Sequence, residues 1–275
     1  MGYPPNYDKQ VGGNMIKIAS IQLWHNDDES KQDRIAHAEQ LIDSAADCDL
    51  ILLPELWDIG WWSFDIYHQV SEPLPGETVS RIAEKARRVN AYILAGSIVE
   101  RDGDSLYNTA VMLDPKGQII ATYRKIHLVG FMGAREAELL KRGKEIVAVK
   151  TDVGVLGLSI CYDLRFPELF RKMVAQHGVE IILHTTAWPM VRLDNYREMC
   201  HIRASENLCY LVSCDSAGFN CGKQYVGHSV IVDPWGIPLA SAGIYQSVVK
   251  GEIDTSEMYK IREFMPLLKD KFFPV

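Results

Sequence analysis

The sequence has no apolar run long enough to span a membrane, which argues against a helical membrane protein. It has no surplus of basic residues: 29 Lys and Arg stand against 36 Asp and Glu, a formal net charge of −7. That balance offers no electrostatic footprint for a nucleic acid. It has no Cys-x-x-Cys pair, so neither a zinc knuckle nor a thioredoxin-like redox motif is expected. No Gly-x-Gly-x-x-Gly follows an apolar strand, and the isolated Gly pairs, GGN at 12–14 included, do not build a phosphate loop. The opening MGYPPNYDKQVGGN lacks the apolar segment of a signal peptide. Residues 1–14 are therefore expected to be a flexible extension, with the fold starting near Met15.

Without an export signal, the six cysteines are expected as free thiols in a reducing cytoplasm. Four of them, Cys200, Cys209, Cys214 and Cys221, crowd into one stretch, but separations of nine, five and seven do not suit a tetrahedral metal site. Packed thiols explain them more simply. Neither a metal nor a cofactor is expected.

What remains is an ordinary globular balance, 47% apolar and 24% charged over 275 residues, enough for one large α/β domain. Alternating or continuous apolar runs predict strands over 15–23, 50–54, 92–100, 106–113 and 119–123, then 145–150, 155–160, 181–184, 210–215, 228–232 and 248–253. Helical spacing marks 30–46, 77–90, 167–177 and 193–207. The turns DPKG at 114–117 and DPWG at 233–236 occupy matching places in two half-chains. Each half runs strand–helix–strand–helix and then antiparallel strands, with no linker between. Two mixed sheets with outer helices, a four-layer α-β-β-α sandwich, follow from that pattern. The domain is expected over 15–258. Residues 259–275 are expected to form a C-terminal arm, either on the surface or at a subunit contact.

Three strand ends carry chemistry. LILLPELW sets Glu55 after an apolar run, ATYRKIHL sets Lys125 after another, and LGLSICYDLRF does the same for Cys161. Neither a carboxylate nor an ammonium is readily buried alone, and α/β sheets form sites at the C-terminal ends of their strands. If the three converge, the carboxylate can take the thiol proton while the ammonium holds an oxyanion. The backbone N–H of Tyr162 is a second oxyanion donor. Taken alone, Cys161 reads better as a buried thiol, Glu55 as a surface or helix-start carboxylate and Lys125 as a snorkelling side chain.

The blocks PELW at 54–57, YRKIHL at 123–128 and ICYDLRFPELFR at 160–171 resemble, in order, the three signature segments of the nitrilase superfamily of carbon–nitrogen hydrolases. TTAWP at 185–189 and GHSVIVDPWG at 227–236 are also similar to family segments. The resemblance implies the α-β-β-α fold, pairing into homodimers or higher homo-oligomers, and a small-molecule amide substrate. It implies Glu55 as general base, Lys125 as transition-state stabiliser and Cys161 as nucleophile. A further family glutamate is matched by Glu136, seven residues before Gly143, better than by Glu138, although the usual aromatic and Pro of that stretch are missing. CYDLRFPE resembles the ω-amidase branch, which implies an ω-amide of a dicarboxylic or 2-oxo acid, such as 2-oxoglutaramate. A nitrilase or N-carbamoyl amino acid hydrolase on the same trio, and a non-catalytic scaffold, stand as alternatives. A Cys–His hydrolase is a poorer one.

Around the trio, Arg165 reads either as a clamp for a substrate carboxylate or, preferred, as part of an ion-paired brace with Asp163 and Glu168. Trp57 and Trp188, with Trp61 and Trp62, sit near motif loops and either wall a pocket or belong to the core. His127, His184 and His228 read as packed, hydrogen-bonded side chains.

Overall fold

The computed structural model describes residues 15–273, so the extension expected over 1–14 lies outside the described residues. The layering follows from which faces of the strands are apolar. In the strand Ile16–Gln22, Ile16 and Ile18 face one core while Ala19 and Ile21 face another. In Leu50–Leu52 and just beyond, Leu50 and Leu52 turn one way, Ile51 and Leu53 the other. Strands apolar on both faces need cover on both faces.

They receive it as an α-β-β-α sandwich, the architecture expected from the sequence. From edge to edge, the first sheet runs Ser247–Ile253, Ile16–Gln22, Leu50–Leu52, Tyr92–Asp102, Ser105–Leu113 and Ile119–Arg124. The second runs Pro238–Ser241, Val230–Val232, Tyr210–Asp215, Ile181–Thr186, Gly154–Ile160 and Ala148–Thr151. Each has three parallel strands, flanked by antiparallel ones. Helices Lys31–Asp43 and Glu77–Val89 cover the first sheet through Ile35, Ala38, Ile42, Val79 and Ile82. Ser30 starts the former with a capping box to Asp33, and Arg81–Glu39 and Lys85–Asp43 ion pairs join the two helices. Helices Pro167–His177 and Leu193–Ser205 pack on the second sheet through Phe170, Met173, Tyr196 and Ala204.

The matching DPKG and DPWG turns are structurally equivalent. Asp114 accepts from the N–H of Lys116 and of Gln118, and Asp233 from the N–H of Trp235 and of Ile237. Each closes a hairpin at an edge of its sheet.

Two features differ from the sequence pattern. A small third sheet joins Trp24–His25, Ala217–Asn220 and Lys223–Gln224, strands too short to show a periodicity. Position 259 falls inside the helix Thr255–Phe264. Its Met258 and Ile261 are buried, and Arg262 donates to the carbonyls of Leu208 and Val179. The start of the expected arm is thus packed onto the second half.

Ile51, fully buried in the middle of the first sheet, reports on this core. Ile51→Ala is expected to lose about 2–5 kcal/mol, seen as a lower urea midpoint at unchanged denaturant slope.

Candidate active site

The two sheets meet most closely where their parallel strands end. The Thr185 hydroxyl donates to the Leu53 carbonyl at 2.8 Å, and the Glu55 N–H to the Thr186 carbonyl at 3.3 Å. Glu55 is delivered there by a tight turn in which Leu56 takes φ +42°. The turn nests against an irregularity in strand Tyr92–Asp102, between Leu94 and Ser97. A Cβ on Gly96 would lie 2.0 Å from the Pro54 carbonyl oxygen, and Gly96 also has φ +66°, so only glycine lets the turn approach.

Lys125 follows strand Ile119–Arg124. Its N–H donates to the Asn108 carbonyl at 2.8 Å, and its carbonyl accepts from the Gly143 N–H at 2.9 Å. A Cβ on Gly143 would lie 1.9 Å from the Arg124 carbonyl oxygen, which explains a glycine there. The same chain reversal brings in Glu136 on the short helix Glu136–Leu139, fully buried, while Glu138 is exposed and pairs with Arg135. Cys161 opens a 3-10 helix, Cys161–Arg165, directly after strand Gly154–Ile160, and holds φ +46°. A non-glycine residue in that conformation is strained and persists only where its surroundings enforce it. Asp163 is the enforcing group. It accepts from the Ile160 N–H at 2.9 Å, the Tyr123 hydroxyl at 2.7 Å and the His127 N–H at 3.2 Å, and its Oδ1 lies 2.7 Å from His127 Nδ1.

These elements bring Glu55, Lys125, Glu136 and Cys161 together, all buried. Lys125 Nζ lies 2.8 Å from Glu55 Oε1 and 2.8 and 3.0 Å from the two oxygens of Glu136. Glu55 Oε2 accepts from the Ala187 N–H at 2.9 Å, and the Glu55 charge acts on the Cys161 thiol. Glu136 also accepts from the Val129 N–H at 2.8 Å and Trp61 Nε1 at 3.3 Å.

The electrostatics favour a neutral thiol beside a carboxylate of raised proton affinity. Burial, followed by the neighbouring Glu55, pushes the Cys161 thiol well above its usual range. Burial also raises Glu55, although Lys125 opposes this. Burial would lower Lys125, but Glu136 and Glu55 outweigh it and hold the ammonium firmly protonated. A proton can therefore leave sulfur for Glu55 when the thiol attacks, while the ammonium keeps its charge.

Cys161 opens into a cavity of about 440 Å³. Trp61, Trp62, Phe131, Tyr162, Trp188 and Met190 give it mostly apolar walls. Trp188 is set by its N–H bond to Asp215, with Oδ1 at 3.1 Å. Three cations also line the cavity: Arg165, Arg192 and Lys223. Arg165 lies over the Trp188 ring at 4.8 Å and Lys223 over the Trp62 ring at 4.3 Å, and none of the three has an ion-pair partner among the described residues.

Two sequence expectations are corrected here. Trp57 does not reach the pocket. The turn at Leu56 sends it into the helix-facing core of the first sheet, where Nε1 donates to the Ala95 carbonyl. The ion-paired brace of Asp163, Arg165 and Glu168 does not form, because Asp163 spends its oxygens on the Cys161 turn, Arg165 turns to the pocket and Glu168 is exposed at a helix start. The histidines are packed. Burial lowers His184 to about 3, beside the Ser159 hydroxyl, and His127 stacks on Phe166 at 3.6 Å. His228, also at positive φ, is lowered by burial.

Asn108, Arg192 and Lys223 were missed by the sequence reading. Asn108 had a signal: in LYNTAVML, alternation puts a polar amide on the buried face with Ala110 and Met112. The two cations lie in a three-residue 3-10 helix and a two-residue strand, with no pattern to mark them.

Comparison with known proteins follows the same line. The family model described as carbon–nitrogen hydrolase matches residues 17–263. A 2-oxoglutaramate amidase of Paenarthrobacter nicotinovorans is 33% identical over 264 residues, covering 93% of this chain and 89% of the relative. The human ω-amidase is 31% identical over 265 residues, covering 93% and 95%. Among solved structures, Saccharomyces cerevisiae Nit3, a member of branch 10 of the nitrilase superfamily, superposes with a TM-score of 0.85 at 29% identity, covering 94% of this chain and 97% of that one.

The thiols supply a test of the site. Cys221 is the exposed one; Cys161 is buried but opens to the cavity; Cys48, Cys200, Cys209 and Cys214 are buried. Brief iodoacetamide treatment is expected to label Cys221 and Cys161 by mass spectrometry. Inactivation should track Cys161 alone and persist in Cys221→Ser. Inactivation that disappears in Cys221→Ser would contradict the assignment.

Proposed function

The chain belongs to the carbon–nitrogen hydrolase family, and from that premise we propose that it hydrolyses the terminal amide of a small carboxylic acid, an ω-amide of a 2-oxo or dicarboxylic acid, to the acid and ammonia. The observation that carries this reading is the buried Glu55–Lys125–Cys161 cluster, whose Cys161 opens to a cavity lined by three cations without an ion-pair partner among the described residues. The first supports acyl transfer to sulfur; the second supports a substrate with a carboxylate at the far end from its amide. Relatives named as 2-oxoglutaramate amidases support a substrate of that class.

In this mechanism the Cys161 sulfur attacks the amide carbon as its proton passes to Glu55. The Tyr162 N–H lies in the first turn of the 3-10 helix, where backbone donors have no acceptor within the helix, and serves the oxyanion. Lys125 joins it by giving up the longer of its two bonds to Glu136. Glu55 returns the proton to the departing nitrogen, and ammonia leaves a thioester on Cys161. Water deprotonated by Glu55 then attacks the thioester, and the acid departs as the thiol is restored. Glu136 orients Lys125 throughout. Arg165, held over Trp188, takes the substrate carboxylate. No cofactor or metal enters these steps. Six free thiols suit a reducing cytoplasm. Exposed Tyr259, Phe264, Phe272 and Phe273 near the C-terminus suit a contact between copies in a homodimer.

Ammonia release from ω-amides of 2-oxo acids, plain aliphatic amides, N-carbamoyl amino acids and nitriles tests the reading, with Cys161→Ala as blank. The highest kcat/KM is expected on the 2-oxo acid amides. Arg165→Met should lower it at least tenfold through KM while leaving plain amides within about twofold, since loss of a hydrogen bond to a charged group is worth about 1.5–3 kcal/mol. Release from nitriles or carbamoyl compounds alone would overturn the amidase reading.

A further inference from the structure

Asn108 lies at the centre of the buried charges, although its side chain has no place in the steps above. It projects from strand Ser105–Leu113 toward the seam of the two sheets and is fully buried. Its Nδ2 donates to Glu55 Oε1 at 2.8 Å and to Glu136 Oε1 at 3.0 Å. Lys125 Nζ bonds the same two oxygens, each at 2.8 Å. One charged donor and one neutral donor thus bridge the same pair of acceptors. The orientation of the amide is set by its neighbours: carboxylate oxygens only accept, so the NH₂ must face them. Asn108 Oδ1 is left buried without a partner among the described residues. An amide placed for general packing would have both ends satisfied. This one is placed for its donors.

The consequence comes from counting lone pairs. Each carboxylate oxygen offers about two acceptor positions. Glu55 Oε1 is taken up by two short bonds, from Lys125 and Asn108, each at 2.8 Å. Glu55 Oε2 accepts only the Ala187 N–H among the bonds just described, and one position stays open. We infer that Asn108 is a positioning residue that, together with Lys125, saturates Glu55 Oε1 and so makes Oε2 the oxygen that takes the Cys161 proton.

The same amide sets how basic Glu55 is. A donor to a carboxylate favours its charged form, so Asn108 counters the upward push of burial on Glu55. Without it, Glu55 stays protonated to higher pH, and Oε1 is free to compete for the thiol proton in an unproductive geometry. The Asn108 backbone carbonyl, which accepts from the Lys125 N–H, is unaffected by a side-chain change. A substitution therefore separates donor from scaffold.

This inference rests on Glu55 as the base, so the experiment tests that first. The rate of Cys161 alkylation by iodoacetamide, followed by peptide mass spectrometry on folded protein, is measured against pH for the wild type, Glu55→Gln and Asn108→Leu. A wild-type acid limb that is absent in Glu55→Gln is expected; an identical limb in Glu55→Gln would overturn the base reading itself. With the base established, Asn108→Leu, close in shape but without donors, should move the acid limb upward by about one pH unit. It should also lower kcat tenfold or more, with KM changed less than threefold. If Asn108→Leu does not fold, Asn108→Ala, which also lacks a side-chain donor, carries the same expectation. A folded variant whose acid limb stays at the wild-type pH would overturn the role of Asn108 and leave Glu55 as base intact. Lower thermal stability with an unmoved limb would do the same, because a purely structural residue does not shift a titration.

Discussion

Lys125 donates to two carboxylates in a part of the protein where none of the three groups is exposed, and most of the site depends on that arrangement. A buried ammonium without partners gives up its proton, and a buried carboxylate without partners takes one. Together, Glu136 and Glu55 keep the Lys125 ammonium charged, while burial raises both Glu55 and the neighbouring Cys161 thiol. Removal of one member leaves uncompensated charge for the others, typically at a cost of about 3–5 kcal/mol. The cluster must therefore be assembled as a unit. The fold does this by bringing Glu55, Asn108 and Lys125 from the first sheet against Cys161 and Ala187 from the second.

The scaffold explains why these side chains cannot drift. Glycines at 96 and 143 admit backbone close enough to fix the turns that carry Glu55 and Lys125. Asp163 fixes the third turn by tying the backbone before Cys161 to Tyr123 and His127. Bonds across the seam, Thr185 to Leu53 and Ala187 to Glu55, make the separation of the sheets part of the site geometry. Arg192 and Lys223, in contrast, line the cavity from a short 3-10 helix and a two-residue strand rather than from the turns that carry Glu55, Lys125 and Cys161.

The sequence exposed the scaffold and the reacting groups more clearly than their surroundings. Strands around Ile51, Leu158 and Leu183 were readable because strands buried on both faces are continuously apolar, and the polar residues after them stood out. The family resemblance separated Glu136 from Glu138 through the spacing to Gly143 that it implies, and the structure buries the former and exposes the latter. What was not readable depended on side-chain direction. Trp57 and Trp61 are four residues apart in one loop, yet the positive φ of Leu56 sends one into the helix-facing core and leaves the other against Glu136. Arg165 and Asp163 are two residues apart in one short helix, and only the turn geometry assigns one to the pocket and the other to the backbone before Cys161.

The central claim is that catalysis passes through sulfur at Cys161, and intact-protein mass spectrometry tests it most directly. The enzyme is mixed with an ω-amide substrate, quenched in acid during turnover, and digested to locate any adduct. The account predicts a population heavier by the substrate less ammonia, with the added mass on the peptide containing Cys161. Full turnover in Cys161→Ala, or turnover by the wild type with the adduct on any other residue, would contradict it.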